Sequence, residues 1–205
     1  PDIKRYPYNP DKARALLREA GFRREGNGPL TDADGNEVAF SVMTNQENDA
    51  RTEACTVFKE NMSALGIKVE LRFIDFNTLV SKTGESYNYE CALLGFGGGV
   101  PDPASYKDIF MSHGRMHQWH PNQEEPATEW EARIDDLMKQ VIRELDVERR
   151  QKLYFEVQDI LAEQQPMIMV ITSKRFVGLK NRWRGFKAPS MGDFLWNQYA
   201  LYPEP

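Results

Sequence analysis

The sequence predicts an α/β fold in which one mixed sheet is flanked by helices. Strand-like segments, recognised by alternation or by short apolar runs, alternate with helical segments through the first half of the chain. The second half adds two long helical segments and then one more apolar run. Because strands that alternate with helices pair into sheets covered on their faces, this order favours an α/β architecture.

Helix-capping residues and the periodicity of apolar residues identify the secondary-structure elements of the first half. Asn9 can cap the first helix, Pro10 suits its first turn, and Gly21 can end it. Asp34 and Gly35 form the turn of a predicted hairpin. The elements that follow are a strand at Val38–Thr44, a helix over 49–65, a strand at Ile67–Phe73, a short helix over 76–84 and a strand at Tyr89–Phe96.

The second half is more helical. Apolar residues recur at helical spacing over residues 127–145, and Asp146 opens a second helix that runs through Gln164. The acids of the first of these helices, such as Glu131 with Asp135, are interpreted as a solvated helix face. The run Met167–Thr172 is predicted to be a buried strand of the same sheet.

Composition excludes several classes of protein. The net charge is −5 and the pI is about 5.4, so no basic face for nucleic acid is implied. No apolar run approaches the length of a membrane span. The two cysteines, Cys55 and Cys91, are too few for a disulfide framework and are interpreted as buried free thiols. The chain begins at Pro1 without a methionine, and we therefore expect it to be a piece of a longer protein.

A glycine run follows the predicted strand Tyr89–Phe96. The stretch "GFGGGVPDP" has neither the third glycine of a dinucleotide fingerprint nor the Gly-Lys-Ser/Thr of a P-loop, and its prolines lack the N–H groups that would hold a phosphate. No cofactor is therefore expected. Two interpretations remain, a loop with unusual backbone angles and a wall that lets a ligand approach the backbone closely.

All three histidines lie in one loop, "SHGRMHQWHPNQ". Their spacing leaves open a metal site formed by His113, His117 and His120, which would make the chain a small α/β metalloenzyme. The alternatives are a polar structural loop and a loop that contacts a ligand, in which Trp119 would be an exposed aromatic.

Several stretches, in their order along the chain, resemble one family. The stretch "YPYNPDKARALLREAGF" resembles the opening of the corresponding region in extracellular solute-binding proteins of the dipeptide/oligopeptide type, family five, which serve ABC importers. The later stretches "YECALLGFGGGVPDPASY" and "ERRQKLYFEVQDILAEQQPMIMV" are similar to the family in order and spacing. The resemblance covers essentially the whole chain.

The resemblance implies the C-terminal lobe of a two-lobed periplasmic-binding-protein fold, without catalysis. Residues 1–188 would form the ligand-binding lobe, and residues 189–205 a tail that returns to the missing N-terminal lobe. The implied partners are a small-molecule or peptide solute and the membrane permease of the importer. The protein would be located in the periplasm or outside the cell, and it would associate with the membrane through this permease. The implied ligand-binding residues are Phe96, Gly97, Gly98, Gly99, Asp102, His117 and Trp119.

One departure from the family bears on the ligand. Peptide-binding relatives carry an Asp shortly after the glycine-aromatic pair, and this sequence has Gly99 there. Asp102 follows in the proline turn. A peptide held by its amino terminus is therefore not expected, and sugars and other small solutes stay open.

Overall fold

The computed structural model describes residues 3–96, 102–171, 176–189, 193 and 195–204. These residues fall into two compact units, one from Arg5 to Gly95 and one made of residues 1–4 and 96–205. The range 1–188, predicted to be one lobe, is thus divided within the "LLGFGGG" stretch. The predicted separate tail over 189–205 stays a prediction.

The unit Arg5–Gly95 contains three helices and five strands among its described residues. Asparagine and aspartate side chains cap all three helices: Asn9, Asn48 and Asp75 accept hydrogen bonds from backbone N–H groups in the first turns. In chain order the elements are α1 (Pro10–Glu19), β1 (Arg23–Arg24), β2 (Leu30–Thr31), β3 (Ala39–Asn45), α2 (Asp49–Ala64), β4 (Lys68–Ile74), α3 (Phe76–Gly84) and β5 (Cys91–Ala92).

The main sheet has three strands in the order β4-β3-β5, and both pairings are parallel. The α/β class is confirmed, but this sheet is parallel rather than mixed, and the short strands β1 and β2 pair separately and antiparallel. The strand predicted at Tyr89–Phe96 is shorter than expected, since only Cys91 and Ala92 are paired as a strand. The chain nevertheless stays beside β3, because Leu93 N–H donates to the carbonyl of Met43 at 2.9 Å.

A hydrophobic core fills the space between the sheet and its helices in this unit. Its buried members are Leu30, Val42, Cys55, Leu65, Ile67 and Val69. Both cysteines are free, and Cys55 is buried as interpreted, whereas Cys91 is only half-buried. Burial raises the pKa of each thiol above its usual range.

Gly66 ends α2 in a conformation that other residues rarely adopt, and it gives a testable prediction. Its φ is +87°, and a Cβ there would lie 2.9 Å from the backbone nitrogen of Leu30. We expect Gly66→Ala to lower the free energy of unfolding by about 2–3 kcal/mol. Gly21→Ala is the matched control, since φ is +97° but no atom lies within 4 Å. If urea unfolding showed that Gly66→Ala and Gly21→Ala lower the free energy of unfolding by the same amount, the close contact at Gly66 would have no role.

The second unit is mainly helical in its described residues. Its core consists of Ile109, Phe110, Met111, Ile134, Leu137, Met138 and Val157. Its elements are a 3-10 helix (Pro103–Tyr106), α4 (Lys107–Phe110), α5 (Glu129–Arg143), α6 (Val147–Gln164), β6 (Trp183–Arg184), a 3-10 helix (Gln198–Ala200) and β7 (Tyr202–Pro203). Thr128 and Asp146 cap α5 and α6, as expected from sequence for Asp146. No helix in the described parts of the chain has the length and apolar character that a membrane span requires.

The buried strand predicted at Met167–Thr172 is wrong over its described residues, 167–171. None of these five residues is paired as a strand, and Ile168 and Ile171 are 72% and 76% exposed. An apolar run forms a strand only beside another strand, and the described chain provides none there.

Nearer the C-terminus, β7 pairs antiparallel with β6, and Asn197 donates to the carbonyl of Gly185 at 2.8 Å.

Candidate functional site

The carboxyl ends of β3 and β5 form the candidate site in the unit Arg5–Gly95. From β3 the chain crosses through α2 to β4 on one side, then returns through α3 to β5 on the other side of β3. The boundary between β3 and β5 is therefore a topological switch point. In open parallel sheets, ligands bind beyond the carboxyl ends of the strands at such a point.

Two polar side chains meet at this edge. Asn45 is the last residue of β3 and is buried, and Arg51 lies in the first turn of α2 and is half-buried. The Nη1 of Arg51 donates to the Oδ1 of Asn45 at 2.7 Å, and the Nδ2 of Asn45 donates to Glu47 at 3.2 Å. The amide of Asn45 thus fixes the guanidinium beside the strand end.

Gly95 provides the space that Arg51 occupies. A Cβ at Gly95 would lie 2.9 Å from the Nη2 of Arg51, which is closer than real Cβ atoms approach a neighbour. The segment before it is held by the Oγ1 of Thr44, which donates to the carbonyl of Leu93 at 2.9 Å. The first glycine of the "GFGGG" run therefore lies directly beside the guanidinium group, and a side chain at this position would require the end of Arg51 to move.

Only some of the residues predicted to contact a ligand are among those that the structure describes. Phe96 is 37% exposed, as a stacking residue requires. Gly97, Gly98 and Gly99 lie outside the described residues. Their assignment as ligand contacts stays a prediction.

Asp102 already has partners within its own unit. Its Oδ1 accepts from the backbone N–H of Ala104 at 2.9 Å, which caps the 3-10 helix Pro103–Tyr106. The same oxygen accepts from the Nη2 of Arg150 at 2.5 Å. An acid that caps a turn and pairs with an arginine is less available to bind a ligand's ammonium group.

Glu131, on the first turn of α5, organises the histidine loop. Its side chain is fully buried. Its Oε1 contacts four groups and its Oε2 accepts from the hydroxyl of Thr128 at 2.9 Å. The four groups at Oε1 are His117 Nε2 at 3.2 Å, Trp119 Nε1 at 3.1 Å, His120 Nδ1 at 3.2 Å and Gln123 Nε2 at 3.3 Å.

Burial and hydrogen bonding act in opposite directions on this carboxyl group. Burial alone would raise the pKa of Glu131, but the hydrogen bonds from His117, Thr128, Gln123 and His120 together lower it to about 2. Burial also lowers the pKa of His117, and this effect exceeds the opposing influence of Glu131. At neutral pH, Glu131 is therefore ionised.

The histidine loop is thus folded inward, and the metalloenzyme alternative finds no support. His117 is 1% exposed, whereas His113 is exposed on the surface. Among the described residues, no group of three or more His, Cys, Asp or Glu could hold a metal ion. Trp119, expected to be exposed, is half-buried with its ring centroid 3.9 Å from that of His117.

The interpretation of Glu131 and Asp135 as a solvated helix face is wrong. Asp135 is 5% exposed and accepts from the backbone N–H and the hydroxyl of Ser112, at 2.7 and 2.5 Å. Both acids share a helix face with Ile134 and Met138, and that spacing was a usable signal. The pattern Thr128-x-x-Glu131 was a second signal, because it matches a capping box.

Arg51 and Asn45 were also missed by sequence reasoning. They stand in the polar run "TNQENDAR" between a predicted strand and the helix that follows it. Polar residues at the carboxyl end of a parallel strand are typical of ligand sites, and this position would have identified them.

Comparison with solved structures shows a shared fold. The structure of the oligopeptide-binding protein AppA from Bacillus subtilis in complex with a nonapeptide matches with a TM-score of 0.71 and 22% identity, over 100% of this chain and 39% of that one. The periplasmic binding protein MelB of Agrobacterium fabrum C58, in complex with stachyose, matches with a TM-score of 0.71 and 16% identity, over 80% and 26% of the two chains. The resemblance in fold to two-lobed periplasmic binding proteins is thereby confirmed.

Sequence comparison identifies the family. The oligopeptide-binding protein AppA of Bacillus subtilis (strain 168) is 26% identical over 191 residues, which are 91% of this chain and 33% of the relative. The chain thus spans about a third of the length of the curated relatives it matches. Residues 1–118, more than half of the chain, match the family described as bacterial extracellular solute-binding proteins, family 5, middle. The chain belongs to the family 5 bacterial extracellular solute-binding proteins.

Proposed function

We propose that this chain is part of the substrate-binding component of an ABC importer and captures a small solute without transforming it. Membership of family 5 is the observation that carries the proposal. The polar edge formed by Asn45, Arg51 and Gly95 at the switch point between β3 and β5 supports it, since solutes bind at such positions in α/β sheets.

The partners follow from the family and from the length of its members. The proposed partners are a membrane permease and the remainder of a longer, two-lobed protein, of which this chain would supply the C-terminal lobe. The match to about a third of each relative supports the second partner. The protein would act in the periplasm or outside the cell, at the membrane through its transporter.

The sequence-predicted contacts divide into two roles under this proposal. Phe96 keeps the role of a side chain that stacks on the solute. His117 and Trp119 support the histidine loop from within through Glu131, and Asp102 fixes the turn after the glycine run through Arg150. Gly97, Gly98 and Gly99 remain proposed backbone contacts.

Two classes of solute are proposed, peptides first and oligosaccharides second. Peptides are proposed first because the relative AppA is named as an oligopeptide-binding protein. Oligosaccharides are the alternative because the structure of MelB is a complex with stachyose. Calorimetric titration of the full-length gene product with peptides of two to nine residues and with oligosaccharides tests the function. The proposed function would be contradicted if the full-length protein bound neither peptides nor oligosaccharides.

For a peptide ligand, we expect the free amino terminus to contribute little. Gly99 stands where peptide-binding relatives carry an acid, and Asp102 is paired with Arg150 at 2.5 Å. Without a carboxylate partner, a site gains nothing from an ammonium group that it must desolvate. A bound peptide and its N-acetylated form should therefore bind the full-length protein with similar affinity in calorimetry. A loss of about 2 kcal/mol or more on acetylation, the scale of a hydrogen bond to a charged group, would show that another acid binds this terminus.

A further inference from the structure

We propose that the histidine loop contains a pH-sensitive switch, in which a proton on His117 exchanges Gln123 for Glu131 as the partner of its Nε2 atom. In one state the neutral ring accepts a hydrogen bond from the amide of Gln123. In the other state the protonated ring donates to the carboxylate of Glu131. All three residues belong to the second unit, and the switch does not depend on the identity of the solute.

The orientation of the Gln123 amide is fixed by two partners other than His117. Its Oε1 accepts from the backbone N–H of Ala127 at 2.9 Å. Its Nε2 lies 3.3 Å from the Oε1 of Glu131, and an ionised carboxylate only accepts hydrogen bonds. Both contacts require the nitrogen of this amide to point toward Glu131 and His117. The 2.9 Å contact between the Nε2 atoms of Gln123 and His117 is therefore made by a donor of Gln123.

The ring of His117 can satisfy only one of the two neighbours of its Nε2 atom. Its Nδ1 lies 3.1 Å from the carbonyl oxygen of Ile109, which only accepts, so Nδ1 carries a hydrogen in both states. Without a hydrogen, Nε2 accepts from Gln123, and the Oε1 of Glu131 at 3.2 Å faces it as a second acceptor. With a hydrogen, Nε2 donates to Glu131, and its N–H points at the N–H of Gln123. The two contacts therefore belong to different protonation states of one ring.

Burial and the charged groups around the ring determine the pH range of the switch. Burial has the largest influence and lowers the pKa of His117 below 6.5, whereas Glu131 and Asp135 on α5 and the carbonyl of Ile109 on α4 oppose it. His120, in the same loop, contacts the Oε1 of Glu131 at 3.2 Å. Because the pKa of Glu131 is lowered to about 2, its carboxylate is still ionised when the ring takes up a proton. The switch therefore operates below pH 6.5, with Glu131 as a constant acceptor.

The exchange of partners reaches the backbone at the start of α5. The amide of Gln123 joins His117 to Ala127, which directly precedes the helix-capping residue Thr128. Once Nε2 of His117 carries a hydrogen, it repels the amide nitrogen of Gln123. The amide then moves away, and its Oε1 releases the N–H of Ala127. Protonation of a buried ring is thereby coupled to the segment that leads into the helix.

A switch and a purely structural cluster differ in how substitutions change the titration of His117. Removing the donor of Gln123 destabilises the neutral ring, so the pKa of His117 should rise. Removing the charge of Glu131 destabilises the protonated ring, so this pKa should fall. Gln123→Met and Glu131→Gln keep the approximate size of each side chain, and a cluster that only fills space would therefore respond to neither.

The first test follows the histidine rings of the full-length protein, labelled with ¹⁵N in histidine, by NMR between about pH 4.5 and pH 8. The ring of His117 is identified by its nuclear Overhauser contact with the indole of Trp119, since the two ring centroids lie 3.9 Å apart. We expect the neutral ring to carry its hydrogen on Nδ1. We expect Gln123→Met to raise the titration midpoint by about 0.5–1 pH unit, and Glu131→Gln to lower it. Gln151→Met, at an exposed position of α6, is the matched control and should leave the midpoint unchanged.

A second test measures whether the proton on His117 affects the backbone. Hydrogen exchange of the Ala127 amide, corrected for the intrinsic effect of pH, is measured over the same pH range. We expect its protection to fall about two- to tenfold at the titration midpoint of His117, the scale of one lost hydrogen bond. In Gln123→Met, protection should be low at every pH.

The wild-type protein alone can overturn the proposal, whether or not the variants fold. A neutral ring that carries its hydrogen on Nε2, or a ring that stays neutral until the protein unfolds, would overturn it. Protection of Ala127 that does not follow the titration of His117 would also overturn it. Among the variants, a midpoint that neither Gln123→Met nor Glu131→Gln changes would have the same consequence.

Discussion

Glu131→Ala should lower the free energy of unfolding by about 3–5 kcal/mol, because several buried or half-buried groups lose their hydrogen-bond acceptor and each group left unsatisfied costs about 1–3 kcal/mol. The carboxylate is fully buried and contacts five side chains, four of them in the loop from His117 to Gln123. Its loss leaves the half-buried indole N–H of Trp119 without its acceptor and removes one of the two partners of the Gln123 amide. Glu129→Ala is the matched control, since Glu129 is exposed on the same first turn of α5 and its loss should be within about 0.5 kcal/mol of the wild type.

The same network predicts how stability depends on pH. The folded-state pKa of Glu131 is lowered from 4.5 to about 2, so the stability gained from its ionised form is complete above about pH 4.5 and is lost as the pH falls toward 2. Burial lowers the pKa of His117 below 6.5, so this ring also reduces stability as the pH falls below that value and the unfolded ring takes up a proton.

Glu131→Gln separates the two contributions. The amide keeps the shape of the side chain but does not titrate, so the decrease below pH 4.5 should be smaller than in the wild type. Urea unfolding between pH 3 and pH 7 measures both proteins. A wild-type decrease that Glu131→Gln leaves unchanged, or a Glu131→Ala variant as stable as Glu129→Ala, would contradict the assigned role of this network.

Local signals in the sequence were sufficient for most of the regular structure. The strands predicted at Val38–Thr44 and Ile67–Phe73 are observed one residue later, at Ala39–Asn45 and Lys68–Ile74. Strand alternation and the caps Asn9 and Asp146 depend on near neighbours in sequence, and this is why they could be interpreted without the structure.

The run Met167–Thr172 could not be interpreted in the same way. Its apolar character predicts burial, but burial depends on which part of the chain lies beside it. The described residues 168–171 are exposed, and no described strand lies next to them. Composition alone carries no information about that partner.

The candidate site was predicted only in part. Gly95, the first glycine of the run, lies beside Arg51 beyond the carboxyl end of β5, and the role of the run as a cleft wall stays a prediction. However, the charge pattern on the helix predicted solvent exposure for Glu131, and four of its five side-chain partners come from a loop that has no periodicity. Residues that meet through tertiary contacts, such as Asn45 and Arg51 across the start of α2, become visible only once the topology is known.

We expect the full-length gene product to bind its solute at least about a hundredfold more tightly than the 205-residue chain alone. The chain spans 33% of AppA, and a solute pocket typically encloses most of its ligand's surface. If the remaining walls belong to another lobe, this chain can supply only part of the contacts and cannot exclude water by closure. A hundredfold difference corresponds to about 2.7 kcal/mol of binding free energy.

The decisive measurement is calorimetric titration of both proteins with the same solute, chosen from the peptide and oligosaccharide panel. We expect saturable binding by the full-length protein, and binding by the 205-residue chain that is at least about a hundredfold weaker or undetectable. Circular dichroism of the chain at the same concentration checks that its helices and strands are formed. Equal, sub-micromolar affinity in the chain alone would show that its site is complete, and would contradict the proposal that it is one part of a two-lobed binding protein.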